Sequence, residues 1–320
     1  MSDLRLTVLA GGVGAARFIA GLVAAAPQAE ITVVGNTGDD FLVHGLHVSP
    51  DLDTVAYTLS GRADEVRGWG LAGETWATLS RLRELGAETW FQLGDLDLAT
   101  HLRRTALLQA GWPLSAVTAE LCQRLSVPAR LIPMSDQPVT TRVHLEDGRD
   151  LHLQEYLVRE EAAPPIRSVE FQGVEEASPG PGVLEAISGA DLVLIAPSNP
   201  VISIGPILAV PGVRPAVVAA RRVAAVSPIV AGRAIKGPAV AMMLAEGLPA
   251  SALGVALAYR ELIDLMVIDR ADSGLAAEIS ALGLRVHSCP TLMTDQRARR
   301  RLAAEVLRAA GVTPAAGGRG

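Results

Sequence analysis

Three features of the sequence predict an α/β fold built on a Rossmann-like, doubly wound and mostly parallel sheet. Leu4 to Ala10 is a β-rich apolar run that ends in Gly11-Gly12-Val13-Gly14 and an alanine-rich stretch to Ala26, which reads as strand, glycine turn and helix. Apolar runs recur further along with helical patterns between or after them, the alternation of βαβ units whose crossovers are right-handed. Finally, 49% of the 320 residues are hydrophobic but only 3% are aromatic. That mixture suits parallel strands buried on both faces.

The elements follow in order. A second run, Ile31 to Gly35, closes the first unit and ends in Asn36-Thr37-Gly38-Asp39-Asp40. Thr54 to about Leu125 breaks the alternation; it reads as mostly helical and holds all four tryptophans, Trp69, Trp76, Trp90 and Trp112. Thr140 to Leu145 and Asp150 to Tyr156 then alternate around Asp147-Gly148, a hairpin signature. Pro164-Pro165 and the cluster Ser178 to Gly182 mark the return to the main fold. Strands are expected at Asp191 to Ala196, Arg222 to Val226, Leu265 to Asp269 and Leu284 to Ser288. Helices are expected near Gly182 to Ser188, Ala239 to Glu246 and Arg297 to Ala310. Residues 1–53 and 165–312 thus read as a nucleotide-binding core, and 54–164 as a largely helical insertion with a β-hairpin that caps the sheet's carboxyl edge. Residues 313–320 read as a frayed tail.

Composition excludes several classes. No stretch approaches the ~18 uninterrupted apolar residues of a membrane span. With 28 basic and 34 acidic residues the net charge is −6, against the basic balance of a broad nucleic-acid binder. Lys236 is the only lysine, and the cluster Arg297, Arg299, Arg300 and Arg301 reads as a solvated helix face. Cys122 and Cys289 make no disulfide framework, and no Cys/His array points to zinc. The N-terminal residues lack the pattern of a signal peptide, so the cytoplasm is the expected location.

Several segments can carry chemistry. The glycine turn lets backbone amides approach a phosphate at a helix N-terminus, although a tight turn without ligand would look the same. It is not a dinucleotide fingerprint, because Arg17 stands where the last glycine would fall, and no Walker A sequence exists. Asp51-Leu52-Asp53 and Asp95-Leu96-Asp97 are two Asp-x-Asp pairs. Such carboxylates hold Mg²⁺ beside phosphates, act as general bases, or cap helices. His101 shares a segment with the second pair, whereas His44 and His47 read as packed or solvent-facing. Ser198 and Asn199 follow a buried strand, and Ser203 and Gly205 open a helix, a setting for nucleotide contacts or a proline-shaped turn.

Taken together and in order, Gly11 to Gly14, Ser49-Pro50-Asp51-Leu52-Asp53-Thr54, Gly94 to His101 (GDLDLATH), Leu131 to Asp136, Ala196 to Ile207 (APSNPVISIGPI), Ser227 to Gly232 and Leu292 to Asp295 form a specific set. Over nearly the whole chain, to about Ala310, it resembles the 2-phospho-L-lactate transferase family of deazaflavin coenzyme F-420 biosynthesis. The resemblance implies a Mg²⁺-dependent transfer. The donor is a guanosine diphosphate-linked small acid, and the moved group is 2-phospholactyl or enolpyruvyl phosphate. The acceptor is the ribityl hydroxyl of the deazaflavin 7,8-didemethyl-8-hydroxy-5-deazariboflavin, and GMP is released.

By match of motif, Gly11, Gly12 and Gly14 hold phosphate, and Ser198, Asn199, Ser203 and Gly205 the nucleotide. Asp51 and Asp53 serve metal and catalysis, and Asp53 also the acceptor. Asp95, Asp97, His101, Met134 and Ser135 line the acceptor side. Two positions depart from the family pattern: Leu96 stands where Gly-Asp-Arg-Asp is usual, and Gln137 where Ser-Asp-Asp is frequent. The resemblance leaves no role for nucleic acid or membrane, and a homodimer is compatible with it. The alternative is a nucleotide-sugar-binding regulator of the gluconeogenesis-factor type, which shares the glycine loop and is expected to lack the GDLDLATH segment.

Overall fold

The computed structural model of the protein describes residues 4–234 and 238–312; Lys236 and the tail expected at 313–320 lie outside them. The chain begins β1 (Arg5–Ala10), α1 (Gly12–Ala25), β2 (Glu30–Gly35), a small hairpin of β3 (Phe41–Val43) and β4 (Leu46–Val48), and α2 (Pro50–Leu59). Helices α3 (Ala77–Glu84), α4 (Asp95–Gln109) and α5 (Leu114–Leu125) lead to β5 (Arg130–Pro133), β6 (Thr140–Leu145), β7 (Asp150–His152) and β8 (Ile166–Gln172). Then follow α6 (Val183–Gly189), β9 (Leu192–Ile195), α7 (Gly205–Ala209), α8 (Val213–Val218), β10 (Val223–Val226), β11 (Ile229–Val230) and β12 (Arg233–Ala234). The described chain closes with α9 (Ala239–Ala245), α10 (Ala252–Tyr259), β13 (Leu265–Asp269), α11 (Ala276–Ala281), β14 (Arg285–Cys289) and α12 (Gln296–Ala309).

Seven strands pair in parallel in the order β14-β13-β10-β9-β1-β2-β5. This is the doubly wound sheet expected from the alternation. The side-chain period of two sends β1 residues to opposite faces. Leu6, Val8 and Ala10 pack with Phe18, Ile19 and Leu22 of α1 and Leu302 and Val306 of α12. Leu9 belongs to the core on the other face, with Ile187 of α6 and Val143 of β6. Burying each large apolar side chain on these faces contributes roughly 1.5–3 kcal/mol.

From β1 the chain winds outward through β2 to β5, then returns to β9 on the other flank of β1 and winds to β14. The reversal opens a crevice beyond the carboxyl ends of β1 and β9, the usual place for a ligand in such a sheet.

The Asp147-Gly148 turn joins β6 to β7 as the hairpin signature requires, and β8 adds a third antiparallel strand. The run expected to continue to Tyr156 stops at His152, where the chain enters a π-helical turn over Glu155–Arg159. The central sheet takes β5 from the 54–164 stretch, and the small sheet takes β8 from beyond it. Among the described residues, no helix is long and apolar enough to cross a membrane.

Candidate active site

The glycine turn is shaped by close approach. A Cβ on Gly11 would stand 2.5 Å from Asp51 Oδ2, and one on Gly14 would stand 2.4 Å from the Pro197 carbonyl oxygen. Only glycine fits between these groups. The loop after β9 is knitted to the turn: Ser198 Oγ donates to the Gly11 carbonyl (2.9 Å), and Asn199 Oδ1 accepts from the Val201 (2.9 Å) and Ile202 (3.4 Å) amides. Ser203 packs against Gly11, and Gly205 lies against the Phe171 ring. Gly11 has no side chain to cap the 14-residue α1, and the Asp51 carboxylate takes the Gly12 amide, which leaves the rest of the first turn to receive an anion. Gly11, Gly12, Gly14, Asp51, Ser198, Asn199 and Ser203 share the walls of one crevice of about 520 Å³; Gly205 and Asp53 do not reach it.

The two carboxylates of Asp51-x-Asp53 take different partners. Asp51 Oδ2 accepts from Asn36 Nδ2 at 2.9 Å; the same amide lies 3.5 Å from Asp39 Oδ1, and Gln154 holds Asp39 Oδ2 at 2.9 Å. Burial is the main force on both acids. It pushes Asp51 up to about 6, and raises Asp39 well above the usual carboxylate range with help from the Asp51 charge.

Asp53 faces the other way, into a closed ion-pair network between α2 and α4. Arg104 grips both its oxygens, Nη1 at 3.1 Å from Oδ2 and Nη2 on Oδ1. Arg104 Nη1 also meets His101 Nδ1 (3.1 Å) and the His47 carbonyl (3.4 Å). His101 Nε2 lies 3.3 Å from Asp97 Oδ1, which accepts from the Tyr57 hydroxyl at 2.7 Å. Burial alone would raise Asp97, but His101, Tyr57 and Arg104 outweigh it and hold the acid below its ordinary value. Sequence reasoning missed Arg104. The signal was present, because Asp97, His101 and Arg104 recur at spacings of four and three and share one helix face.

The other residues expected on the acceptor side separate. Asp95 accepts from Thr75 Oγ1 and from the Ala77 and Thr78 amides (3.0 Å each), so it caps α3 from the start of α4. Leu96 is 49% exposed, and its amide donates to Glu74. Met134 is part of the apolar core, and the buried Ser135 hydroxyl bonds Gln137 Oε1.

A second cavity, about 680 Å³, opens on the far side of the loop 36–40. None of Asp95, Asp97, His101, Met134 and Ser135 lines it, while Gln137 does. Its wall is aromatic. Phe41 stacks on Trp90 (centroids 6.1 Å apart, 29°) and tilts against His152 (5.3 Å, 32°), and Arg159 covers Trp90 at 4.9 Å. Thr37 and Asp40 supply its polar edge. Ser49 Oγ (2.6 Å) and His47 Nε2 (3.0 Å) fix Asp40 Oδ2, leaving Asp40 Oδ1 and Thr37 Oγ1 buried without partners. Asp39 lines the first space and Asp40 the second, so one loop serves both. The first space suits a phosphate group and the second a flat aromatic one.

The family model described as 2-phospho-L-lactate transferase CofD matches residues 6–309. A phosphoenolpyruvate transferase of Kitasatospora aureofaciens is 49% identical over 311 residues, covering 95% of this chain and 97% of that protein. One from Mycolicibacterium smegmatis is 42% identical over 331 residues, covering 97% and 100%. Two crystal structures of a Bacillus halodurans protein, described in one as a UPF0052 family member, share the fold. Their TM-scores are 0.60 and 0.62 at 18% and 17% identity, over 90% and 96% of this chain and 93% and 99% of theirs.

Proposed function

The chain belongs to the CofD family of 2-phospho-L-lactate transferases, and from that premise we propose that it moves a phospho-three-carbon-acid group from a guanosine diphosphate ester to the ribityl hydroxyl of the deazaflavin. The enolpyruvyl donor is favoured over the lactyl one, because the relatives above carry the name phosphoenolpyruvate transferase. One observation carries the reading: a crevice with a phosphate-ready helix N-terminus and an aromatic-walled cavity meet at the loop 36–40.

Phosphoryl transfer of this kind depends on positioning and on neutralising charge more than on a protein nucleophile. The α1 N-terminus and the Gly11–Gly14 turn hold the diphosphate, and Ser198, Asn199 and Ser203 the nucleotide side. The acceptor ring stacks in the cavity of Phe41, Trp90 and His152. Its hydroxyl oxygen forms a bond to the acid-bearing phosphorus, and the bond to the GMP oxygen breaks. Asp40, with one oxygen fixed and the other free, takes the hydroxyl proton.

The residues fit Mg²⁺. Asp51 presents a buried carboxylate to the space beside Gly11 and Gly12, and this ion needs only one or two carboxylates with phosphate oxygens and water. Among the described residues no group of three or more His, Cys, Asp or Glu side chains could enclose a metal alone, so substrate oxygens would complete the shell. When bound, Mg²⁺ supplies charge neutralisation at the diphosphate. Asp53 contributes through Arg104, which fixes the first turn of α2 and with it Asp51.

Incubating the chain with the deazaflavin and each guanosine donor, with and without Mg²⁺, and weighing the products by mass spectrometry tests the reading. A phosphodiester-linked product together with GMP is expected. Calorimetry that shows preference for UDP-glucose over GDP, with no product, would sink it.

A further inference from the structure

The donor crevice carries a charge that phosphate binding leaves unused. Among its described lining residues, Arg17 is the only basic side chain. It is half-buried. Its charge reaches Glu65, yet Arg299 already grips both Glu65 oxygens at 2.8 and 2.6 Å. Among the described residues, nothing hydrogen-bonds or ion-pairs the Arg17 guanidinium.

Its place in the fold gives this cation a direction. The β9 loop, with Ser198 and Asn199, forms one flank of the crevice. Arg17 sits on the other side of the glycine turn with Thr54 of α2 and Trp69, residues that also line the small pocket beneath it. It lies four residues after Val13, which lines both spaces with it, on the same helix face and ~6 Å further along the axis. A nucleotide held at β9 with its diphosphate on the α1 N-terminus would therefore point its far substituent at Arg17.

We propose that Arg17 holds the carboxylate of the three-carbon acid on the guanosine diphosphate ester, and so selects acid-bearing donors over the plain nucleotide. The assignment rests on the transferase reading above. A planar guanidinium matches a carboxylate with two parallel hydrogen bonds, and a partly desolvated site strengthens them. The phosphates already have the turn amides, so the guanidinium serves a different anion. Trp69 and Thr54 line the crevice beside it.

The test is calorimetric titration of the full chain and of Arg17→Met and Arg17→Lys. The ligands are GDP, its lactyl-phosphate ester and its enolpyruvyl-phosphate ester. The parent is expected to bind the esters more tightly than GDP. Arg17→Met should weaken both esters by about 10- to 100-fold and GDP by less than about threefold, with Arg17→Lys between. Equal weakening of GDP and esters would assign Arg17 to phosphate and overturn the proposal, as would esters unaffected by Arg17→Met. If the parent binds the esters no better than GDP, the assignment falls and the transferase reading stands; if mass spectrometry shows that the parent transfers neither group to the deazaflavin, that reading fails and the assignment falls with it. Melting curves of both variants separate a folding defect from a binding one, since the lysine variant keeps charge and stem.

Discussion

Arg104→Met should destabilise the protein more than almost any other single change on α4. Arg104 is 2% exposed and Asp53 7%, so the pair is closed to water. Methionine fills most of the arginine stem's volume, so little of the cost comes from a cavity. What remains is a buried Asp53 carboxylate with neither oxygen donated to, and breaking one partner of such a pair costs ~3–5 kcal/mol. A chain of 320 residues loses roughly 0.7 kcal/mol of stability per degree near its midpoint. The midpoint should therefore fall by ~4–7 °C. Replacing both partners, as Asp53→Leu with Arg104→Met, should recover more than half of that, because the orphaned charge and not the lost attraction carries the cost. Scanning calorimetry of the parent and three variants reads this directly. A single variant that melts within ~1 °C of the parent, or a double variant no better than Arg104→Met alone, would refute the reasoning.

Other outcomes follow from the same geometry. Asp51→Asn should melt higher than the parent at pH 7.5, by up to ~4 °C. The sign is set by a folded-state value of about 6 against an ordinary 3.8: ionisation costs the folded state as pH rises through that window, so the gain should vanish near pH 4. Mg²⁺ should add to the rise in midpoint that GDP alone gives the parent, Asp51→Asn should lose that addition, and turnover should collapse in that variant. Asp40→Asn should lower turnover by ~10²–10⁴-fold with GDP affinity unchanged, measured by product mass and calorimetry. Turnover within threefold of the parent would remove Asp40 from the chemistry. Gly14→Ala should cost ~1–3 kcal/mol and at least tenfold in GDP affinity, since its Cβ meets the Pro197 carbonyl. Gly274→Ala, with open space around it, serves as the neutral control.

The sheet was legible because its signals are local. The run into Gly11-Gly12-Val13-Gly14 shows strand, turn and helix within one window, and Asp147-Gly148 marks its hairpin in two residues. β8 carries a weaker signal: Val169 and Phe171 alternate with Ser168 and Glu170, but the run is short and lies between Pro164-Pro165 and the cluster Ser178 to Gly182. The site was harder, since its pairings join distant segments. Asp53 meets Arg104 across 51 residues, and the cavity wall takes Phe41, Trp90 and His152 from three distant segments. Asp95 misled in a different way. Helix capping was among its readings, but the helix it caps is α3, 17 residues upstream, and no local pattern shows that a cap acts on another element.

The loop 36–40 explains how a flexible connection can hold two reacting groups in register. It follows β2, whose six residues all pair with β1, so its first residue is fixed by the sheet. Thr141 of β6 then donates its amide to the Gly38 carbonyl at 2.6 Å, and His152 of β7 reaches the Asp40 carbonyl at 3.3 Å. Asn36 ties the loop to Asp51 on α2, and Ser49, the residue before that helix, donates its hydroxyl to Asp40. Four directions of restraint leave the backbone almost no freedom, so its carboxylates need not be ordered when substrate arrives. Preorganisation of this kind is where electrostatic catalysis gains most, because the cost of orienting the groups was met on folding. A loop drawn tight by the small sheet also gives that sheet a reason to sit where it does. Its strands carry few of the candidate residues themselves; they hold in place the loop that carries several.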